Sequence, residues 1–392
     1  MRIIHTSDWH LGRKLKGQDR TPEIEFALNE LYNQAIKLEV DAVLVAGDIY
    51  DAPNPSVEAE QVAFNFFGKL KQANIPAVII AGNHDSASRL DAIAQVLRYI
   101  GVKALGKPQK ADKGGVININ TKNGKLCVAA MPFASERKLL KYDDLWNKDD
   151  LEQRQYYRVC VQRFIKNLSE SFRDDTVNIL MAHMTLEGTT RAYSEVDYYT
   201  RDNYVLSGQM LPSVAQYIAL GHIHKPQQVS NAAPTYYSGS LIQVDFGEAG
   251  EDKGFYLIDV EPGRPANPQF ITIPCQKPLK LIKCNEDNLD ETLEQNREHP
   301  GYLKVIVELS SPKLGLADMV RKVCPQALIV EAKYLRTEQA LPELPENYKF
   351  DPIEEFQRFY LKRQGAEVPT EVLEVFTQLH QQLQQETTDA LA

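Results

Sequence analysis

Short apolar runs alternate with stretches of helical periodicity along the first hundred residues. Ile3-Ile4-His5-Thr6 reads as a short buried strand that stops at Asp8. A helical pattern covers 24–38, opened by Thr21-Pro22 as cap and first-turn proline. Residues 42–46 read as a strand, 57–70 as a helix, 77–81 as a strand and 88–100 as a helix. β-like segments then dominate, at 126–131, 177–181, 217–220, 236–241, 255–260 and 270–273. Strand–helix alternation followed by many strands predicts an α/β layered sandwich over residues 1–276. The pattern restarts near Lys277: strand, helix, strand, helix, strand predict a small α+β domain over 277–336. Residues 337–350, with Pro342 and Pro345, read as a linker. The tail, 351–392, predicts two helices. One carries Ile353, Phe356, Phe359 and Tyr360 on one face, and the other Val372, Leu373, Phe376, Leu379 and Leu383.

Composition is that of a globular protein, with 43% hydrophobic and 25% charged residues. No apolar run is long enough to span a bilayer, and the N-terminus enters a strand without signal-peptide features, so a cytoplasmic protein is expected. Five scattered cysteines without a CxxC pair argue against a disulfide framework or zinc ribbon. The net charge of −9 at first argues against a nucleic-acid partner. Residues 1–275, however, carry 30 basic against 33 acidic side chains. Two bound dications would bring that portion near neutrality, so global charge does not decide.

The strand ends change the picture. Asp8-Trp9-His10 follows the first strand, Gly47-Asp48 the next, and Gly82-Asn83-His84-Asp85 the one after. His183 follows 177–181, and Gly221-His222-Ile223-His224 follows 217–220. Each piece alone is weak, because a lone histidine after a strand is usually structural. Together they place five of eight histidines at the strand ends where open α/β sheets build their sites. Oxygen and imidazole donors without thiolate suit Mn²⁺, Fe²⁺ or Zn²⁺. A shared carboxylate bridging two ions would serve phosphoester hydrolysis. Arg13, Lys14, Lys16 and Arg20 follow the first pair directly, as backbone-tracking DNA contacts require, and a second basic stretch runs from Lys103 to Lys125.

The ordered series Asp8-x-His10, Gly47-Asp48, Gly82-Asn83-His84-Asp85, His183 and Gly221-His222-x-His224 resembles the calcineurin-like metallophosphoesterase superfamily. The opening Ile4-His5-Thr6-Ser7-Asp8-Trp9-His10-Leu11-Gly12 resembles its SbcD nuclease family, bacterial relatives of the archaeal and eukaryotic double-strand-break-processing nuclease. The resemblance implies a four-layer α/β/β/α sandwich with a small capping domain and C-terminal partner-binding helices. It implies one ion on Asp8, His10, Asp48 and His224 and a second on Asp48, Asn83, His183 and His222, with manganese expected. His84 would face the scissile phosphate, with Asp85 orienting it. Archaeal relatives have a histidine where this chain has Asp51, which is therefore left out of the catalytic set.

The same resemblance implies an SbcC-like SMC-type ATPase partner clamped by Phe356, Phe359, Tyr360, Leu373 and Phe376. It implies a homodimer through helices bearing Phe64, Phe67, Leu90, Ile93 and Leu97. The expected activity is ATP-dependent 3'-5' double-strand exonuclease and single-strand or hairpin endonuclease action in DNA repair and recombination. No GxxxxGK[ST] loop is present, so ATP dependence would reside in the partner. The alternative is a phosphodiesterase of small nucleotides on the same scaffold.

Overall fold

The computed structural model describes residues 1–135, 150–192, 205–334, 351–364 and 367–389. The expected linker at 337–350 lies outside them. The chain forms two compact units, Met1–Pro278 and Leu279–Ala392.

In the first unit, β1 (Arg2–Thr6), β2 (Ala42–Val45), β3 (Ala77–Ile80) and β4 (Val102–Leu105) are parallel neighbours. Two late strands, β11 (Gly254–Asp259) and β12 (Asn267–Thr272), extend this sheet antiparallel beyond β1, giving the order β12-β11-β1-β2-β3-β4. A second six-stranded sheet has the order β9-β10-β8-β7-β6-β5. It comprises β5 (Val116–Thr121), β6 (Gly124–Met131), β7 (Val177–His183), β8 (Tyr217–Gly221), β9 (Gln227–Val229) and β10 (Thr235–Tyr237).

The period of two along each strand sorts side chains into layers. Ile3, Leu44, Val78 and Ile80 meet Val128, Ile179, Met181 and Tyr217 in the layer between the sheets. Their neighbours Ile4, Val43, Val45 and Ile79 turn to the other face. There they pack under α1 (Thr21–Lys37), α2 (Val57–Gln72) and α3 (Ala87–Tyr99), with Trp9 against Phe66 and Phe67. The outer face of the second sheet is covered by α4 (Asp150–Ser169) through Tyr157, Val161, Ile165 and Leu168. Burial on both faces explains why these strands are continuous apolar runs. The result is the four-layer α/β/β/α sandwich.

In the second unit, β13 (Leu279–Asn285), β14 (Tyr302–Leu309) and β15 (Ala327–Tyr334) form a parallel sheet. Leu303, Val305, Val307 and Leu309 share a core with Leu289 and Leu293 of α5 (Leu289–Asn296) and Val320 of α6 (Leu316–Val323). The tail forms α7 (Pro352–Gln364) and α8 (Thr370–Asp389). Phe356 and Phe376 stack on each other at 4.0 Å, so two of the five residues expected to meet a partner pack helix against helix. Phe359 stays exposed, as do Val375 and Leu379.

The expected dimer residues also need correction. Phe67, Leu90 and Leu97 are buried, because the stripe they form is the one that covers the first sheet; Phe64 lies outside it and is exposed. Phe67→Ala is therefore expected to lower the unfolding free energy by about 3–5 kcal/mol in urea titration. Phe64→Ala should stay within about 0.5 kcal/mol of the parent.

Candidate metal centre

Every residue of the strand-end series converges at one end of the facing sheets. Asp8 and His10 follow β1, Asp48 follows β2, Asn83 follows β3, His183 ends β7, and His222 and His224 follow β8. Backbone bonds stitch the first two loops together: Asp8 N–H donates to Gly47 O at 2.9 Å and His10 N–H to Asp48 O at 3.1 Å. Asp8, His10, Asp48 and His222 all have positive φ, a conformation that costs a side-chain-bearing residue about 1–3 kcal/mol and is tolerated where function fixes it. Two glycines allow the approach. A Cβ on Gly82 would lie 2.1 Å from Asp48 Oδ1, and one on Gly221 2.0 Å from Ala46 O.

The tautomers show what the cluster requires. His183 Nδ1 meets the Ala46 carbonyl at 2.8 Å and must donate to it. Its Nε2 lone pair then faces Asn83 Oδ1 at 3.0 Å and Asp48 Oδ2 at 3.3 Å, both acceptors. His224 Nδ1 faces Glu248 Oε1 at 3.0 Å, which leaves its Nε2 lone pair 3.0 Å from Nε2 of His10. His222 Nε2 is buried without a hydrogen-bond partner. Lone pairs pointed at lone pairs in a buried site call for cations.

Charge balance agrees. Burial opposes protonation of His183, yet the Asp48 carboxylate lifts its pKa to about 9, so without a metal ion a proton on Nε2 takes the place that a bound cation would fill. Burial would raise Asp48, but His183 holds it well below the usual carboxylate range. Asp85 is pushed up to about 6, first by burial and then by Asp48.

Three sets of donors lie within 4.8 Å of one another: Asp8, His10 and His224; Asp48, His183 and His222; and His10, Asp48 and His84. Asp48 links the last two sets, and His10 links the first and third. Oxygen and imidazole donors in this number fit divalent transition-metal ions.

Comparison with known proteins bears on this geometry. Residues 1–226 match the family of calcineurin-like phosphoesterases. The SbcD component of the Bacillus subtilis nuclease SbcCD is 30% identical over 98% of this chain and 99% of its own length. The chain belongs to the SbcD family of calcineurin-like phosphoesterases. The Escherichia coli SbcD is 27% identical, covering 86% of this chain and 85% of its own. That of Staphylococcus epidermidis is 26% identical over 93% and 90%. Membership makes the chain a metal-dependent phosphoesterase, and the clustered donors provide the means.

Within this SbcD-family site, Asp85 and Arg20 are corrections. The Asp85 carboxylate accepts backbone N–H groups of Gly82 at 2.9 Å, Tyr50 at 3.0 Å and Ile49 at 3.2 Å. It ties the second and third loops together and does not orient His84, whose Nδ1 meets the carbonyl of Asp51 at 2.8 Å. Arg20 is fully buried and ion-paired with Glu23 one helical turn on, so it cannot touch DNA. Arg13 pairs with Asp51 at 3.2 Å, while Lys14 and Lys16 are exposed.

Sequence reasoning missed three residues. Asp51 Oδ1 lies 3.2 Å from His10 Nδ1, a structural duty behind the position set aside earlier. Glu248 holds His224 and is itself 2.7 Å from the buried ammonium of Lys253. No motif marks Glu248 or Lys253; the only signal was a glutamate and a lysine five residues apart in the turn that leads into β11.

Glu248→Gln should cost about 3 kcal/mol, because it removes the nearer of the two carboxylates at the buried Lys253 ammonium and leaves only Glu251 at 3.1 Å, read by urea unfolding. Glu248 is held well below its ordinary pKa of 4.5, because Lys253 and His224 outweigh the effect of burial. Its contribution is therefore complete above that value and is lost as pH falls below it, so the variant and parent stability curves should converge in acid.

Proposed function

We propose that this chain is a two-metal DNA nuclease that works in complex with an SMC-type ATPase of the SbcC kind. One ion is held by Asp8, His10, Asp48 and His224, and the other by Asp48, Asn83, His183 and His222, with manganese as the working metal. The observation that carries this reading is the set of imidazole lone pairs around Asp48, facing acceptors or one another. The relatives' own name, as a component of the nuclease SbcCD, supports the DNA substrate and the partnership.

When bound, such a pair supplies Lewis-acid activation of water and neutralises charge at the phosphodiester. The side chains do the rest. The Asp51 carbonyl fixes His84 Nδ1 as a donor, so Nε2 is the nitrogen that meets the departing oxygen. His84 and Asn83 are half-buried, whereas the other donors are buried, so they form the open side of the centre where a phosphate enters. The ring of His84 stands edge-on to His10 at 4.7 Å, which restricts its swing. Lys14 and Lys16, on the small hairpin Lys14–Leu15 with Gln18–Asp19, are placed to follow the sugar-phosphate backbone, with Arg13 behind them.

The exposed Phe359 and its neighbours Tyr360 and Leu373 are offered to the ATPase, and Phe64 to a second copy. Exonuclease action on duplex ends and endonuclease action on hairpins follow as the expected activities, ATP dependence coming from the partner. A cytoplasmic location belongs to the same proposal. Among the described residues no helix is long and apolar enough to cross a membrane.

His84→Gln is expected to lower cleavage of blunt duplex and hairpin DNA by about 10²–10⁴-fold while two metal equivalents remain on elemental analysis. Loss of metal in that variant would make His84 a ligand. Removal of residues 351–392 should abolish co-purification with the ATPase and leave Mn²⁺-dependent hydrolysis of a simple phosphodiester intact. Retained co-purification would place the docking surface elsewhere.

A further inference from the structure

A concavity of about 500 Å³ opens between α4 and the segment that follows β4. It is lined by Lys107 and Lys110 from that segment and by Arg163, Phe164 and Asn167 from the helix. Helical spacing of 3 and 4 puts Arg163 and Asn167, and Cys160 one turn earlier, on one face. Lys107, Lys110 and Arg163 are all exposed, and among the described residues no carboxylate lies within ion-pair distance of any of them. Asp112, on the adjacent turn Ala111–Lys113, does not line the cavity. The Asn167 side-chain oxygen accepts the Ala111 N–H at 3.2 Å, which pins this turn to α4 and leaves the amide nitrogen as a donor. Three cations and an amide donor therefore converge on one hollow beside the half-buried ring of Phe164.

The topology fixes where this hollow lies. Leu105 at the end of β4 pairs with Ile80 at the end of β3. Two residues beyond Leu105 is Lys107, and three beyond Ile80 is Asn83. Adjacent parallel strands stand about 4.8 Å apart, so the basic loop leaves the same end of the sheet as the metal-bearing loops. Like charges are held near one another here with no anion between them among the described residues, at a mutual cost that a bound anion would remove.

We propose that this hollow is a second phosphate-binding site, which takes the backbone of a nucleic-acid strand at a point away from the bond being cut. Three cations match successive phosphates, and an aromatic ring beside them suits a sugar or base face. The volume exceeds what inorganic phosphate needs and lies within the range of ligand cavities. The inference rests on the nuclease reading for the identity of the strand. A free nucleotide presents the same phosphate chemistry.

The test replaces Lys107, Lys110 and Arg163 together with glutamine in the full chain. Binding of a fluorescent phosphorothioate strand, which resists hydrolysis, is followed by anisotropy from 50 to 200 mM salt, and binding of a free mononucleotide is measured by calorimetry. The expected result is weaker strand binding, with the log–log salt slope reduced by about 2 to 3. Hydrolysis of bis(p-nitrophenyl) phosphate and metal content should remain at the parent level. Should they fall, Arg163→Gln alone, on the exposed helix face, is to reduce the slope by about 1.

Loss of mononucleotide binding with strand binding unchanged would keep the phosphate site and assign it to the nucleotide. An unchanged slope together with unchanged or absent nucleotide binding overturns the inference, and the nuclease reading survives if the parent still cuts DNA. A parent that hydrolyses the chromogenic diester but neither binds nor cuts DNA overturns the nuclease reading instead, with the nucleotide arm then deciding the hollow.

Discussion

Asp48 is buried where its carboxylate meets the His84 backbone N–H on one oxygen and, on the other, His183 Nε2 at 3.3 Å and His10 Nε2 at 3.9 Å. Around it, histidine nitrogens whose partner atoms are already fixed by Ala46 and Glu248 turn their lone pairs inward. Such an arrangement is repulsive in a low-dielectric interior unless positive charge fills it. This constraint organises the end of the sandwich. Gly82 and Gly221 have no room for a Cβ, four donor residues take positive φ, and Asp85 spends its carboxylate on three backbone amides to hold the loops in place. Strain of this kind persists because the surrounding sheets over-determine it.

The fold supplies that over-determination. Two six-stranded sheets share the layer formed by Leu44, Val78, Ile179 and Met181, and each is backed by helices. Parallel strands β1, β2, β3 on one sheet and β7, β8 on the other then release their loops toward a common end. The donors thus come from both sheets, and the centre itself joins them: His222 N–H donates to Asp8 Oδ1 across the interface at 3.0 Å. Metal binding at this centre would couple to sheet packing for this reason.

Much of this was legible in the sequence because the signals were local. Strands buried on both faces are apolar runs, and Gly-Asp, Gly-Asn-His-Asp and Gly-His-Ile-His at their ends mark sharp turns bearing donors. What escaped was set by packing at a distance. Arg20 sits in a basic run yet is claimed by Glu23 inside the first helix cap. Phe67, Leu90 and Leu97 have the same periodicity whether they face a partner or the sheet, and only the fold decides. Glu248 supports His224 from 24 residues away in a short turn without periodicity. Asp85 is next to His84 in sequence, but the turn sends its carboxylate back to the loop amides.

Sharing of Asp48 by two ions is tested most directly by anomalous diffraction at the manganese edge from crystals of the full chain grown with Mn²⁺. Two peaks about 3.5–4 Å apart, both against the Asp48 carboxylate, with one beside Asp8, His10 and His224 and the other beside Asn83, His183 and His222, are the predicted result. A single peak, or a pair that leaves Asp48 without a metal contact, would contradict it.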